Sequence, residues 1–226
     1  MHLILIGCEY AGKTSLAAEI LKWIDVNMGH PICGWHDHFV LPFAEGPEPD
    51  ATEEAEQILA LKPKVLEKYS RYMIEYHLND SFYKDDHHLL VNWYYADAVY
   101  APLYYGYGGR DQYADRQEMA RHYDDAVMRR DPDTVLVHMK ASPEVIRRRK
   151  AANPHPRDIL QDKDIEFVLQ RFAEEYLRSG IRRKFELDTT HTASVQETFA
   201  EFLAKYETHM RTLDRLRLLS HSQFVR

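Results

Sequence analysis

The sequence predicts an α/β fold in which parallel strands are joined by helical crossovers, and three observations predict it. An apolar run from His2 to Ile6 leads directly into Gly7-Cys8-Glu9-Tyr10-Ala11-Gly12-Lys13-Thr14, the GxxxxGK[ST] pattern of a phosphate-binding loop. Short apolar runs then alternate with stretches of helical spacing along the chain. With 226 residues, 45% of them hydrophobic, the chain can bury one substantial core, so one domain spanning 1–226 is expected.

Each element has a local cause. Behind the loop, Leu16, Ile20, Leu21 and Ile24 keep helical spacing from Ser15 to Asn27, and Gly29 ends that helix. Pro31 to Phe39 reads as a second strand, ending in His36-Asp37-His38. Pro42, Gly46, Pro47 and Pro49 break the chain, and Asp50 caps a helix that runs through Glu53, Glu54 and Glu56. The next helix begins near Pro63, where Val65, Leu66, Tyr69, Tyr72, Met73 and Tyr76 predict one broad buried stripe. His88 to Asn92 is the third strand, with His87 and His88 expected at the surface. The aromatic run from Trp93 to Tyr100 follows, until Pro102 and the cluster from Gly106 to Gly109 interrupt it. Asp115 to Arg129 is a polar-faced helix and Thr134 to Met139 the fourth strand. Ser142-Pro143-Glu144 supplies an N-cap, a proline at the first helical position and an acid in the first turn. Asn153 to Arg157 is a loop, Asp164 to Arg178 a helix and Lys184 to Asp188 the fifth strand. Ala193 to Leu219 is expected to be one continuous helix.

The first of these elements carries the chemistry. Gly7 and Gly12 let the backbone turn so that successive N–H groups converge on phosphate oxygens, Lys13 brings a point charge to the terminal phosphates, and Thr14 offers a hydroxyl to Mg²⁺. Gly7, Cys8, Glu9, Tyr10, Ala11, Gly12, Lys13, Thr14 and Ser15 therefore form the expected ATP-binding set, at a helix N-terminus whose dipole favours an anion.

Composition narrows the function classes. A formal charge of −7 argues against a protein that coats nucleic acid. Cys8 and Cys33 are the only cysteines, which implies no disulfide framework and a reducing, cytoplasmic setting. The apolar runs are far shorter than a membrane span, and Met1 opens straight onto the first strand with no room for a signal peptide.

On the phosphate loop and on Asp133-Thr134-Val135-Leu136-Val137-His138-Met139-Lys140-Ala141-Ser142-Pro143-Glu144-Val145, the chain resembles the thymidylate kinase and deoxynucleoside kinase branch of the P-loop kinases. The resemblance implies a three-layer P-loop NTPase fold with a five-stranded parallel sheet flanked by helices. It further implies a helical acceptor-side insertion over about 44–87, a lid over about 147–162, ATP and Mg²⁺ as cofactors, and a small acceptor at the carboxyl ends of the strands. Arg149 and Arg157 stand where arginines of that branch close over the transferring phosphoryl group.

The departures from the branch select the acceptor. Thymidylate kinases carry an Asp-Arg pair after the third strand, whose arginine grips the acceptor phosphate, and here Asn92-Trp93 stands in its place. Arg110 or Arg116 could substitute only from another direction. Deoxynucleoside kinases place a carboxylate at the end of the second strand, and Asp37 resembles it; an alcohol acceptor needs such a base, whereas a phosphate acceptor is already anionic. The expected acceptor is therefore the hydroxyl of a nucleoside, with His36, Asn92, Trp93, Tyr94, Asp97 and Arg110 in its surroundings and aromatic faces ready to stack on a base. His36 and His38 share a side but lack a third ligand at recognisable spacing, which disfavours zinc. The alternatives are a monophosphate kinase, a kinase of a hydroxyl on a modified base, a polynucleotide or another small alcohol, and a non-catalytic nucleotide-binding protein. A homodimer is left open.

Overall fold

A computed structural model describes residues 1–29, 34–37, 52–84, 87–155 and 158–224, with backbone alone for 34–37, 52–55 and 222–224. In chain order the elements are β1 (His2–Ile6), α1 (Lys13–Met28), β2 (Gly34–Asp37), α2 (Thr52–Leu59), α3 (Pro63–Tyr76), β3 (His88–Val91), α4 (Trp93–Tyr100), α5 (Arg116–Arg130), β4 (Val135–Lys140), α6 (Pro143–Ala152), α7 (Ile165–Arg178), β5 (Arg183–Asp188), α8 (Val195–Tyr206) and α9 (Thr212–Phe224). The five strands form one sheet in the order β2-β3-β1-β4-β5, every neighbouring pair parallel. All residues of β1 and β3 are buried, as strands covered on both faces require. The covering layers are α1 packed with α8 and α9, and α4 packed with α3, α5 and α7. Because every strand runs the same way, the carboxyl ends of β1, β3, β4 and β5 share one edge, with Leu5 opposite Val91 and Lys140 opposite Asp188.

Three expectations are corrected. The C-terminal helix is not continuous: α8 stops at Tyr206, a short 3₁₀ turn follows, and Met210 is extended at φ −62°, ψ 129° before α9 begins. The break lets Asp214 on α9 reach the Met1 amine at 2.9 Å beside β1, an ion pair that a straight helix would forgo. The stripe on α3 is also rotated from the expected one, with Leu66 alone of the expected residues fully buried. Val65, Tyr72 and Tyr76 are exposed, and the buried face carries Leu66, Glu67, Ser70 and Ile74. Its polar members answer a buried arginine: Arg116 Nε lies 2.5 Å from Asp97 and its Nη1 3.2 Å from Glu67, with its guanidinium over the Tyr107 ring. Ser70 and Tyr107 both donate to Asp97. Arg116→Met leaves Asp97 buried without its cation, and chemical denaturation is expected to show a loss of about 3 kcal/mol.

His87 and His88 are buried, not at the surface. The His88 ring stacks between His2, at 3.8 Å, and Phe82, at 4.7 Å. Burial, reinforced by His2, the Met1 amine, Arg211 and His77, holds the His88 imidazole well below its ordinary range, and burial brings His87 down to about 3. Both folded values lie below the unfolded one, so their stabilisation is complete above about pH 6.5 and falls as the unfolded state takes up protons below it. The melting temperature is expected to drop between pH 7.5 and 5.5. His88→Phe, which keeps the stacking, should remove about 1 kcal/mol of that loss.

Candidate active site

The chain leaves β1 into a loop that only glycine allows at two points. Gly7 has φ 150°, and a Cβ there would sit 2.4 Å from the Met139 carbonyl oxygen, so the loop lies hard against the end of β4. Gly12 has φ 95° in the left-handed region and starts α1 without a side-chain cap. The first turn of α1 holds no acid, which leaves its N–H groups and the positive end of the helix dipole for an anion. The helices α5, α6 and α8 are capped instead by Asp115, Ser142 and Ser194, each accepting from first-turn N–H groups. Lys13 is buried, and its ammonium donates to the Cys8 carbonyl at 2.7 Å. The Cys8 thiol is pushed up by burial, so it stays neutral beside this charge.

The loop forms one wall of a cavity of about 560 Å³. Its other walls come from Asn92 after β3, Met139 on β4, Arg148 and Arg149 on α6, Asp158 beyond it, and Thr189 to Thr198 after β5. Asn92 stands at the sheet edge with φ 63°, followed by Trp93 at φ 45°. Two successive non-glycine residues with positive φ cost of order 1–3 kcal/mol each. The Asn92 amide oxygen is buried with no hydrogen-bond partner among the described residues, in a wall shared with Lys13 and Thr14. An orphaned acceptor there suits a ligand that brings donors or a hydrated cation. Glu9 lines the same cavity and accepts from the buried Tyr100 hydroxyl.

Arg149 is committed. Its Nη1 donates to the Tyr10 carbonyl and to Thr189 Oγ1, both at 3.0 Å, and its Nη2 to the Thr189 carbonyl at 2.9 Å. One residue on along α6, Lys150 pairs with Asp162 at 2.7 Å and with Asp158 at 3.3 Å, both beyond the helix.

The remaining sequence-selected residues divide sharply. Asp37 and His36 end β2, opposite Val91 and Leu90, and so lie on the same sheet edge as Asn92; the structure gives their backbone only. His38, Cys33 and Arg157 lie outside the described residues. Trp93 and Tyr94 are core and not cavity wall: Trp93 is 2% exposed with its indole N–H donating to the Ile74 carbonyl, and Tyr94 donates to Asp124. Stacking of Trp93 on a base is thereby corrected. Asp97 serves Arg116, and Arg110 is exposed beside Asp111, lining a separate recess between α5 and α7. Sequence reasoning missed Thr189 and Asp158. Thr189 could have been found as the first residue past β5, at the edge where parallel sheets bind ligands.

Among known proteins, no family model and no curated protein matches this sequence. Solved structures do match in shape. The YorR protein from Bacillus subtilis, solved in complex with phosphorylated GDP, is 18% identical, with a TM-score of 0.55 over 92% of this chain and 99% of its own. Deoxyadenosine kinase from M. mycoides with bound dATP is 16% identical, with a TM-score of 0.58 over 92% of this chain and 100% of its own. The same enzyme with bound dCMP and dCDP gives 14% identity and a TM-score of 0.54 over 93% and 100%. No helix among the described residues is long and apolar enough to cross a membrane. With the Gly7–Thr14 loop between β1 and α1 and a parallel five-stranded sheet between helical layers, the chain shares the fold of these solved structures, the deoxyadenosine kinase among them.

Proposed function

We propose that this protein is an ATP-dependent phosphotransferase that moves the γ-phosphoryl group of ATP to the hydroxyl of a small uncharged acceptor, a nucleoside in the first instance. The observation that carries the reading is the loop from Gly7 to Thr14, delivered by β1 onto the uncapped start of α1. The residues present fit ATP with Mg²⁺: N–H groups for the phosphates, Lys13 for their charge, the Thr14 hydroxyl for the cation, and the orphaned Asn92 oxygen for donors held around it. Mg²⁺, when bound, would neutralise charge on the phosphoryl and leaving groups. Asp37, placed by β2 at the same sheet edge, would accept the acceptor's proton as the new P–O bond forms. Arg157 would stabilise charge on the transferring group, the role that the resemblance implies for it.

Two features favour an uncharged acceptor. A monophosphate is a dianion and needs a fixed cation with bidentate reach. Trp93 cannot supply one, Arg116 is taken by Asp97 and Glu67, and Arg110 lines another recess. Next to the nucleotide cavity, and sharing Asp158 and Ile159 with it, lies a second cavity of about 520 Å³. Its walls include Leu61, Pro63, Leu66, Tyr104 and Tyr105, and Asp158 is the one charged group among the described lining residues. Apolar and aromatic walls beside a single carboxylate suit a neutral planar molecule better than an anion.

An ADP-release screen across nucleosides, nucleoside monophosphates, oligonucleotides and small alcohols tests this reading. It predicts ADP release that depends on a nucleoside. Release that depends on oligonucleotide or monophosphate alone would move the acceptor to that class, and nucleotide binding without acceptor-dependent release would make the protein a binding subunit.

A further inference from the structure

We infer that Arg149 and Thr189 form a clamp that fixes the crest of the phosphate loop, so that Arg149 positions the loop instead of contacting the transferring group. The inference rests on the nucleotide-binding reading above. A phosphate cradle works only while its N–H groups point inward, which requires the carbonyls between them to be held elsewhere. Tyr10 and Ala11 form the crest, and Tyr10 adopts φ 63°, a conformation that a non-glycine residue keeps only when its surroundings impose it. Both crest carbonyls face the pair. The Tyr10 oxygen accepts from Arg149 Nη1 at 3.0 Å, and the single Thr189 hydroxyl proton lies between the Ala11 carbonyl at 3.2 Å and the Lys140 carbonyl at 3.0 Å.

The two clamp residues also hold each other and the sheet. Arg149 spans the Thr189 hydroxyl and carbonyl with its two terminal nitrogens. The Thr189 N–H donates to the Lys140 carbonyl at 2.8 Å, which ties the assembly to the end of β4. A planar guanidinium reaches three acceptors in fixed directions, and a lysine ammonium on a flexible stem does not reproduce that fork. With both terminal nitrogens engaged in this way, the arginine's described contacts all serve the loop and the strand end.

The test compares wild type, Arg149→Met, Arg149→Lys and Thr189→Val as full chains, by amide hydrogen exchange without nucleotide and by calorimetric titration with ADP and Mg²⁺. The clamp predicts that exchange across residues 8–13 speeds at least about tenfold in Arg149→Met while β4 is unchanged, and that ADP affinity falls at least about tenfold. Arg149→Lys should recover little of either. Thr189→Val should show a smaller effect in the same direction, and adding it to Arg149→Met should cost little more, because both remove one device. Unchanged loop exchange would overturn the clamp. Faster exchange with ADP affinity within twofold of wild type would overturn its role in positioning, and a fall in turnover alone would return Arg149 to the transferring group. Failure of the wild type to bind ADP would instead defeat the nucleotide reading, with the exchange comparison still deciding whether the clamp exists.

Discussion

Lys13→Met is expected to lower the rate of phosphoryl transfer about 10³-fold with the fold in place, the size of effect seen when one fixed transition-state donor is removed from a water-excluded site. Methionine preserves the buried stem of Lys13, so packing against the loop is kept. What is lost is the ammonium that now donates to the Cys8 carbonyl and would turn to the terminal phosphates. That carbonyl still accepts from the Ala11 N–H at 3.2 Å, so the structural cost should stay near 1 kcal/mol. Turnover measured at equal folded concentration, with thermal unfolding as the control, decides the matter. A variant as active as wild type would remove the loop from the chemistry altogether.

The second large effect is at the end of β2. Asp37→Asn keeps the size and most hydrogen bonding of the side chain but removes the proton acceptor, and turnover should fall by about 10²–10⁴-fold. ATP affinity should stay within about twofold, because the proposed nucleotide site is the loop and not β2. His36→Ala and His38→Ala should be milder. If those two variants abolish activity and the purified protein carries stoichiometric zinc, the strand end is a metal site and Asp37 is no base.

The conformation of the loop from Gly7 to Thr14 was legible in the sequence because it is set within eight residues: Gly7 and Gly12 stand where the backbone takes φ values that other residues avoid. The strands were legible as apolar runs, and the start of α6 through Ser142, Pro143 and Glu144. The side a residue faces was harder to read. The aromatic positions of α3 carry the right period, yet the face that turns inward is chosen by Arg116, some fifty residues away, and its need for Glu67 and Asp97. His88 and Trp93 were misplaced for a related reason. Polar or amphipathic residues in the core depend on partners such as His2 and the Ile74 carbonyl, which local patterning does not reveal. The break between α8 and α9 carries no glycine or proline to announce it, and the tertiary pairing of Asp214 with the Met1 amine favours it instead. For Arg149 the resemblance implies contact with the phosphoryl group, and the three bonds described for it go to the loop and to Thr189, from the wall of the same cavity.

Whether the γ-phosphoryl group of ATP passes to an uncharged hydroxyl is decided by a competition measurement. Wild-type protein with γ-labelled ATP and Mg²⁺ is offered an equimolar mixture of nucleosides and nucleoside monophosphates, with Lys13→Met as the blank, and the labelled products are separated and identified. Label is expected in nucleoside monophosphates formed from the nucleosides and absent from the blank. Label found only in nucleoside diphosphates, with none on any nucleoside, would contradict it and would require a cation for the acceptor phosphate that neither Arg110 nor Arg116 supplies in this structure.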